Sequence, residues 1–237
     1  MVTSGAVAEA PLAKLASLPG VSTASGVAIA AEQARAAGRM LPVPPGLKDL
    51  FPGGGLRRGS TVVVRGSTSL LLALLAEATA GGSWAAAVGM PDLGLAAAAE
   101  IGVELSRLAL VPRPGAEFAS VSAALLDGMD LVAVAPGAAA PSVARRLSAR
   151  ARHRGAVLLS AGPWPGAELE LRCGAGEWTG LDGGAGRLRE RRIEIRAEGR
   201  GAAARSKRVV LSLPGGVKVA RESLPATEPA WTTEEVG

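Results

Sequence analysis

The chain has a single cysteine, a single histidine and no tyrosine. Cys173 alone closes no internal disulfide, and the lack of a cysteine or histidine cluster around it argues against a zinc site. The pattern fits a reducing compartment and leads to an expectation of a cytoplasmic protein with a buried, incidental thiol. With His153 as the only imidazole, inside an arginine-rich helical segment, a histidine-based triad is excluded and a surface position is expected. Long apolar runs are missing as well. Leu70–Leu75 is far too short to span a bilayer, and Pro91, Asp92, Pro136 and Gly137 interrupt the other apolar stretches. Met1 to Ala10 holds no basic region followed by an apolar one, so no signal peptide is expected. Asp127, Asp130 and Asp182 show no spacing for paired acid–base work and read as caps and solvated charges.

What is present is a chain of 237 residues, 48% hydrophobic, long enough for one substantial core with smaller appended ends. The formal net charge of +5 is carried mostly by arginine, which permits a nucleic-acid partner without demanding one. Residues 1–40 alternate alanine-rich, helix-prone pieces with Pro11, Pro19-Gly20 and Gly26, as a helical segment and linker would. A core is expected over 41–220 and a mobile tail over 221–237, where Pro225, Pro229 and several acids leave Trp231 as a short binding determinant.

Within the core, strand-like and helix-like runs alternate. Leu41–Gly59 is a Pro/Gly-dense approach. Thr61–Arg65 is a β-branched run, followed by a helix over Leu70–Ala80 that is apolar around most of its circumference. Strands are expected at Trp84–Met90, Leu108–Val111, Leu131–Ala135 and Ala156–Ser160. Helices are expected at Leu93–Ile101, Ala116–Leu126 and Ser142–His153. Such alternation implies an α/β fold with a mostly parallel sheet and helices on both faces. After Pro165 the pattern changes to antiparallel-looking strands at Glu168–Cys173, Arg191–Ala197 and Arg208–Leu213. Gly174–Gly186 reads as a flexible hairpin loop presenting Trp178 as a protein-contact anchor.

A strand running through a glycine turn into a helix is the setting in which a P-loop cradles phosphates on backbone amides. Gly66 occupies the first glycine of G-x-x-x-x-G-K-[ST]. The second glycine, the lysine and the hydroxyl residue then fall on Leu71, Leu72 and Ala73. The first puts a side chain where backbone must approach phosphate, the second removes the cation and the third removes the magnesium ligand. A cation and an anion about 4 Å apart near a protein surface attract by roughly 4 kcal/mol, so the loss of the lysine alone is a large change. No nucleotide cofactor is expected.

From Leu41 to about Gly215 the chain resembles the RecA core, and more closely the RecA-like accessory proteins of the ImuA type. These are encoded in bacterial mutagenesis cassettes with ImuB and a DnaE-type polymerase. Gly46-Leu47, Leu50, Gly53–Leu56, Gly59 and Gly66 carry the resemblance, with Ile101-Gly102-Val103 before Leu108. It implies a RecA-like core with antiparallel strands added at its C-terminal side. It also places the two catalytic carboxylate positions at Met90 and Ala135, where neither residue is acidic. The expected role is that of a non-enzymatic adaptor in translesion synthesis, binding an ImuB-like Y-family polymerase homologue directly and a DnaE-type polymerase indirectly. Self-association of the kind RecA shows is a further expectation.

Two basic groups make DNA a candidate partner. Arg145, Arg146, Arg150, Arg152 and Arg154 lie on one short helix. The stretch Arg187–Arg208, with Arg187, Arg189, Arg191 and Arg192 at its head, carries nine basic residues against three acidic ones. Glu190, Glu194 and Glu198 weaken that field. Two rival readings stay open: a structural DNA-binding protein acting through these arginines, and an ATPase whose phosphate loop lies at Gly53–Gly59.

Overall fold

The structure, a computed structural model, describes residues 38–137, 139–182, 185–200 and 205–214, with backbone alone for 178–182, 185–190 and 212–214. The chain divides into two units, 1–40 and 41–237, and the described residues lie almost wholly in the second. The expected helix in 1–40 and the expected tail in 221–237 lie outside the described residues.

Eight strands form one sheet. β1 (Thr61–Arg65) leads into α1 (Thr68–Ala80), then β2 (Ala85–Val88), α2 (Leu95–Ile101), β3 (Leu108–Val111), α3 (Phe118–Gly128), β4 (Leu131–Val134), α4 (Pro141–Arg154) and β5 (Val157–Ser160). Three longer strands follow: β6 (Leu169–Asp182), β7 (Ala185–Gly199) and β8 (Lys207–Pro214). The strand order is β8-β7-β6-β1-β5-β4-β2-β3. The strands from β6 to β3 in that order pair in parallel, while β7 pairs antiparallel with both β6 and β8. The fold is therefore mixed α/β with a mostly parallel sheet.

β2, β4 and β5 are buried at every position, as expected of strands covered on both faces. One apolar cluster joins Val62 and Val64 of β1 to α1 and to Val43, Leu47, Leu50, Phe51 and Leu56 of the approach segment. The other joins Val63 and Val132 to Leu126 of α3 and Ala144, Leu147 and Ala151 of α4. This division explains the sequence of α1. With the sheet on one side and the approach segment in the same cluster, Leu70 through Ala76 are all buried, and each leucine there stabilises the fold by about 1.5–3 kcal/mol.

Two expectations are corrected. The segment from Glu168 is not purely antiparallel: β6 pairs in parallel with β1, Val62 opposite Leu169 and Arg65 opposite Arg172. The stretch from Gly174 is not a loop. β6 runs through it to Asp182, so Trp178 sits within a strand, opposite Arg191. Register shifts at Cys173/Gly176 and Thr179/Leu181 mark where the glycines are absorbed as bulges. A Cβ on Gly176 would stand 2.6 Å from the side chain of Ile193, so close approach of β7 calls for glycine there.

Candidate functional site

In open α/β sheets ligands lie beyond the carboxyl ends of the strands, and two clefts open there in this molecule. The first, about 630 Å³, is lined by Gly66 through Ser69, Leu71, Met90, Asp92 and Arg191 among others. The second, about 430 Å³, lies between the ends of β2 and β4 and the starts of α3 and α4, with Phe118, Ala135, Pro136 and Val143 in its wall. Gly89 borders both.

The turn from β1 to α1 is short. β1 ends at Arg65, Gly66 turns with φ +80°, and Ser67 is the N-cap, its Oγ accepting a hydrogen bond from the Leu70 amide at 3.1 Å. α1 begins at Thr68. The residues that would wrap a phosphate, 67–70, are instead the cap and first turn of the helix, and the cap already satisfies one of the amides that a phosphate would use. Leu71, Leu72 and Ala73 are therefore helix positions, buried in the core. Leu71 touches the first cleft, while Leu72 and Ala73 do not line it. Met90 faces this cleft and Ala135 the second, so the two positions expected to have lost carboxylates sit on either side of Gly89 rather than in one pocket. Asp92, which the sequence did not single out, is the acid lining the first cleft.

Cys173 is half-buried beside Gly66, on the cleft's flank. Burial pushes its thiol up, against the smaller opposing pulls of the Ser67 hydrogen bond and the Arg191 charge. A thiol held protonated in this way is a poor nucleophile.

The Gly53–Gly59 segment precedes β1, and the Gly59 amide donates to the Ala156 carbonyl just before β5, at the amino end of the sheet. It lies across the sheet from both clefts, which removes it as a phosphate loop for them.

The arginines expected to form a DNA face are split. On α4, Arg145 and Arg146 are exposed on the first half of the helix. On its second half, Arg150 and Arg154 both grip Asp127 of α3: Arg150 Nε and Arg154 Nε donate to its Oδ1 at 2.7 and 2.9 Å, and Arg150 Nη2 holds Oδ2. Arg152 pairs with Glu168 at 3.7 Å. β7 runs from the carboxyl end of the sheet to the amino end, so its arginines are strung over roughly 30 Å rather than clustered. Arg191 lines the first cleft, and Arg192 is exposed on the outer face of the strand. Further along, Glu194 pairs with Arg196 at 2.8 Å and Arg208 at 3.8 Å, and Glu170 pairs with Arg65 and Arg172. Arg187, Arg189 and Trp178 are described by backbone alone, and Trp231 lies outside the described residues.

The hydrogen bond from Arg150, then that from Arg154, holds the Asp127 carboxyl at about 2, below its ordinary 3.8. Because the folded value is depressed, this pairing contributes stability above the ordinary value and loses it as pH falls through about 2. Carbon-detected NMR should place the Asp127 midpoint near 2, and a midpoint near 3.8 would show that neither arginine holds it.

The fold and the site together define a mixed α/β protein whose glycine turn after β1 has closed into a capped helix. Residues 49–166, from within the approach segment to just past β5, match the model of the MT3502 N-terminal domain. Over 164 residues the chain is 43% identical to the uncharacterized protein Rv3395c of Mycobacterium tuberculosis, an alignment covering 64% of this chain and 80% of that relative. The chain belongs to the family of that protein. Among the described residues no helix is long and apolar enough to cross a membrane.

Proposed function

We propose that this protein is a RecA-fold adaptor without catalytic activity, acting in DNA-damage tolerance. In this reading it binds an ImuB-like partner and supports error-prone synthesis by a DnaE-type polymerase. The carrying observation is the β1–α1 junction: a strand, a left-handed glycine and a helix in the P-loop order, with a serine cap at the position a phosphate loop would take. The non-acidic Met90 and Ala135 at the ends of β2 and β4 point the same way, since neither offers a carboxylate to hold magnesium or activate water. A fold that keeps nucleotide-protein architecture while filling the phosphate position with core leucines is a scaffold, and scaffolds act through surfaces. The RecA-like assignment and the pathway rest on the sequence resemblance.

Co-purification with the ImuB-like protein of the same genome tests the reading, comparing the full chain with one ending before Arg221. A stable complex is expected with the full chain, and its loss on truncation would assign the contact to 221–237. No complex with either would remove the adaptor role.

A further inference from the structure

The amino end of the sheet combines an exposed aromatic with an excess of positive charge. Trp84, immediately before β2, is 49% exposed, the largest of the few big apolar side chains left in solvent among the described residues. The Arg107 guanidinium lies 5.4 Å from its ring centroid and is held there by a 2.7 Å hydrogen bond from Nη1 to the Gly82 carbonyl. The Trp84 amide is pinned in turn, donating to Asp130 Oδ2 at 2.9 Å. The indole is thus a fixed platform with a cation against it.

Strand direction gathers the charge. The six parallel strands begin at this end and antiparallel β7 finishes there, so Arg57, Arg107, Arg152 and Arg200 share one edge although they are scattered through the sequence. Acids are fewer than cations there: Glu168 serves both Arg57, at 2.6 Å, and Arg152, Asp127 serves both Arg150 and Arg154, Asp130 pairs with Arg58 at 2.7 Å, and Glu104 lies beside Arg107. Arg200 and Arg205 are exposed, with no carboxylate at ion-pair distance among the described residues. Seven strand spacings spread the edge over roughly 34 Å.

We propose that this edge binds single-stranded nucleic acid, with arginines following the phosphates and a base stacking on Trp84. Fixed aromatic platforms set in a basic track are what sequence-tolerant strand binding requires. A duplex hides its base faces, and among the described residues this edge is made of turns and the last turn of α4, with no helix or ribbon projecting to enter a groove. An acidic peptide would use the charge but leave the indole idle. The inference is independent of the polymerase-partner reading, because it needs only the purified chain.

Fluorescence anisotropy with the full-length protein and labelled oligo-dT and oligo-U of about 16 nucleotides provides the test, set against a duplex of equal length and a polyglutamate peptide. Trp84→Ala should weaken strand binding about 5- to 150-fold, Trp84→Phe should retain most of it, and Arg107→Ala should lower both affinity and salt dependence. Arg113→Ala, at the carboxyl end, should change nothing. Preference for oligo-dT or for oligo-U identifies the strand, and either supports the proposal. Binding that ignores Trp84, a preference for duplex, or equal Trp84-dependent binding of polyglutamate would overturn it. Should Trp84→Ala fail to fold by circular dichroism, Trp84→Phe and Arg107→Ala decide the question.

Discussion

Leu72→Lys, which puts a lysine at the position a P-loop would give its phosphate-binding one, should destabilise the protein by about 3 kcal/mol or more and confer no affinity for ATP. Leu72 is only 3% exposed and lies within the cluster formed by α1, the sheet and the approach segment. An ammonium placed there either loses its hydration or deprotonates, and each outcome costs several kcal/mol. No cradle exists for it to serve, because residues 67–70 are already the cap and first turn of the helix. Urea denaturation measures the loss, and calorimetry with ATP and magnesium measures the absence of binding. A variant of native stability that bound nucleotide would mean that 67–70 form a loop and that the helix starts later than Thr68.

The second large effect belongs to Gly66. Alanine there takes on a left-handed backbone at φ +80°, at about 1–3 kcal/mol, and its Cβ would stand 2.8 Å from the Cys173 carbonyl oxygen on β6. Backbone cannot swing aside as a flexible side chain can, so the contact adds to the strain. We expect Gly66→Ala to cost about 2–3 kcal/mol, a fall in melting temperature of roughly 5–10 °C for a chain of this size. A loss below about 0.5 kcal/mol would show that the turn relaxes freely. The result also separates two reasons for a glycine at this point. A phosphate loop needs it for the ligand, whereas this chain needs it so that β6 can lie against β1.

The alternation of the parallel core was legible because local pattern and tertiary role agree. TVVVR at 61–65 forms a strand and the leucine run at 70–75 a buried helix, each under its own propensity and its surroundings alike. Legibility failed where partners decide. Residues 174–180 read as a loop from their glycines, yet pairing with β7 extends them as a strand, and the glycines serve close approach and bulges instead. The arginines misled for a related reason. Adjacency in sequence made Arg187–Arg208 look like a patch, but an extended strand separates neighbours by about 3.4 Å each and turns alternate ones to opposite faces. The amino-end edge was invisible because its members come from the starts of different strands. Trp84 carries no local sign that it stays exposed, and the sequence offered replaced P-loop positions at the turn after β1 without showing that the turn is short and capped by Ser67.

The position of β1 in the sheet order also has a cost in time. Its two neighbours are β5 and β6, which begin 92 and 104 residues after β1 ends at Arg65 (157 − 65 and 169 − 65). At ribosomal speeds of about 5–20 residues per second, the central strand and its leucine-rich helix wait roughly 5–20 s before either neighbour is synthesised. For that interval the most apolar part of the chain has no sheet to join, and long-range parallel pairing is slow to form even once it can. The nascent protein therefore depends on being shielded until its second half arrives, and truncations before β5 should yield insoluble chains rather than half-folded ones.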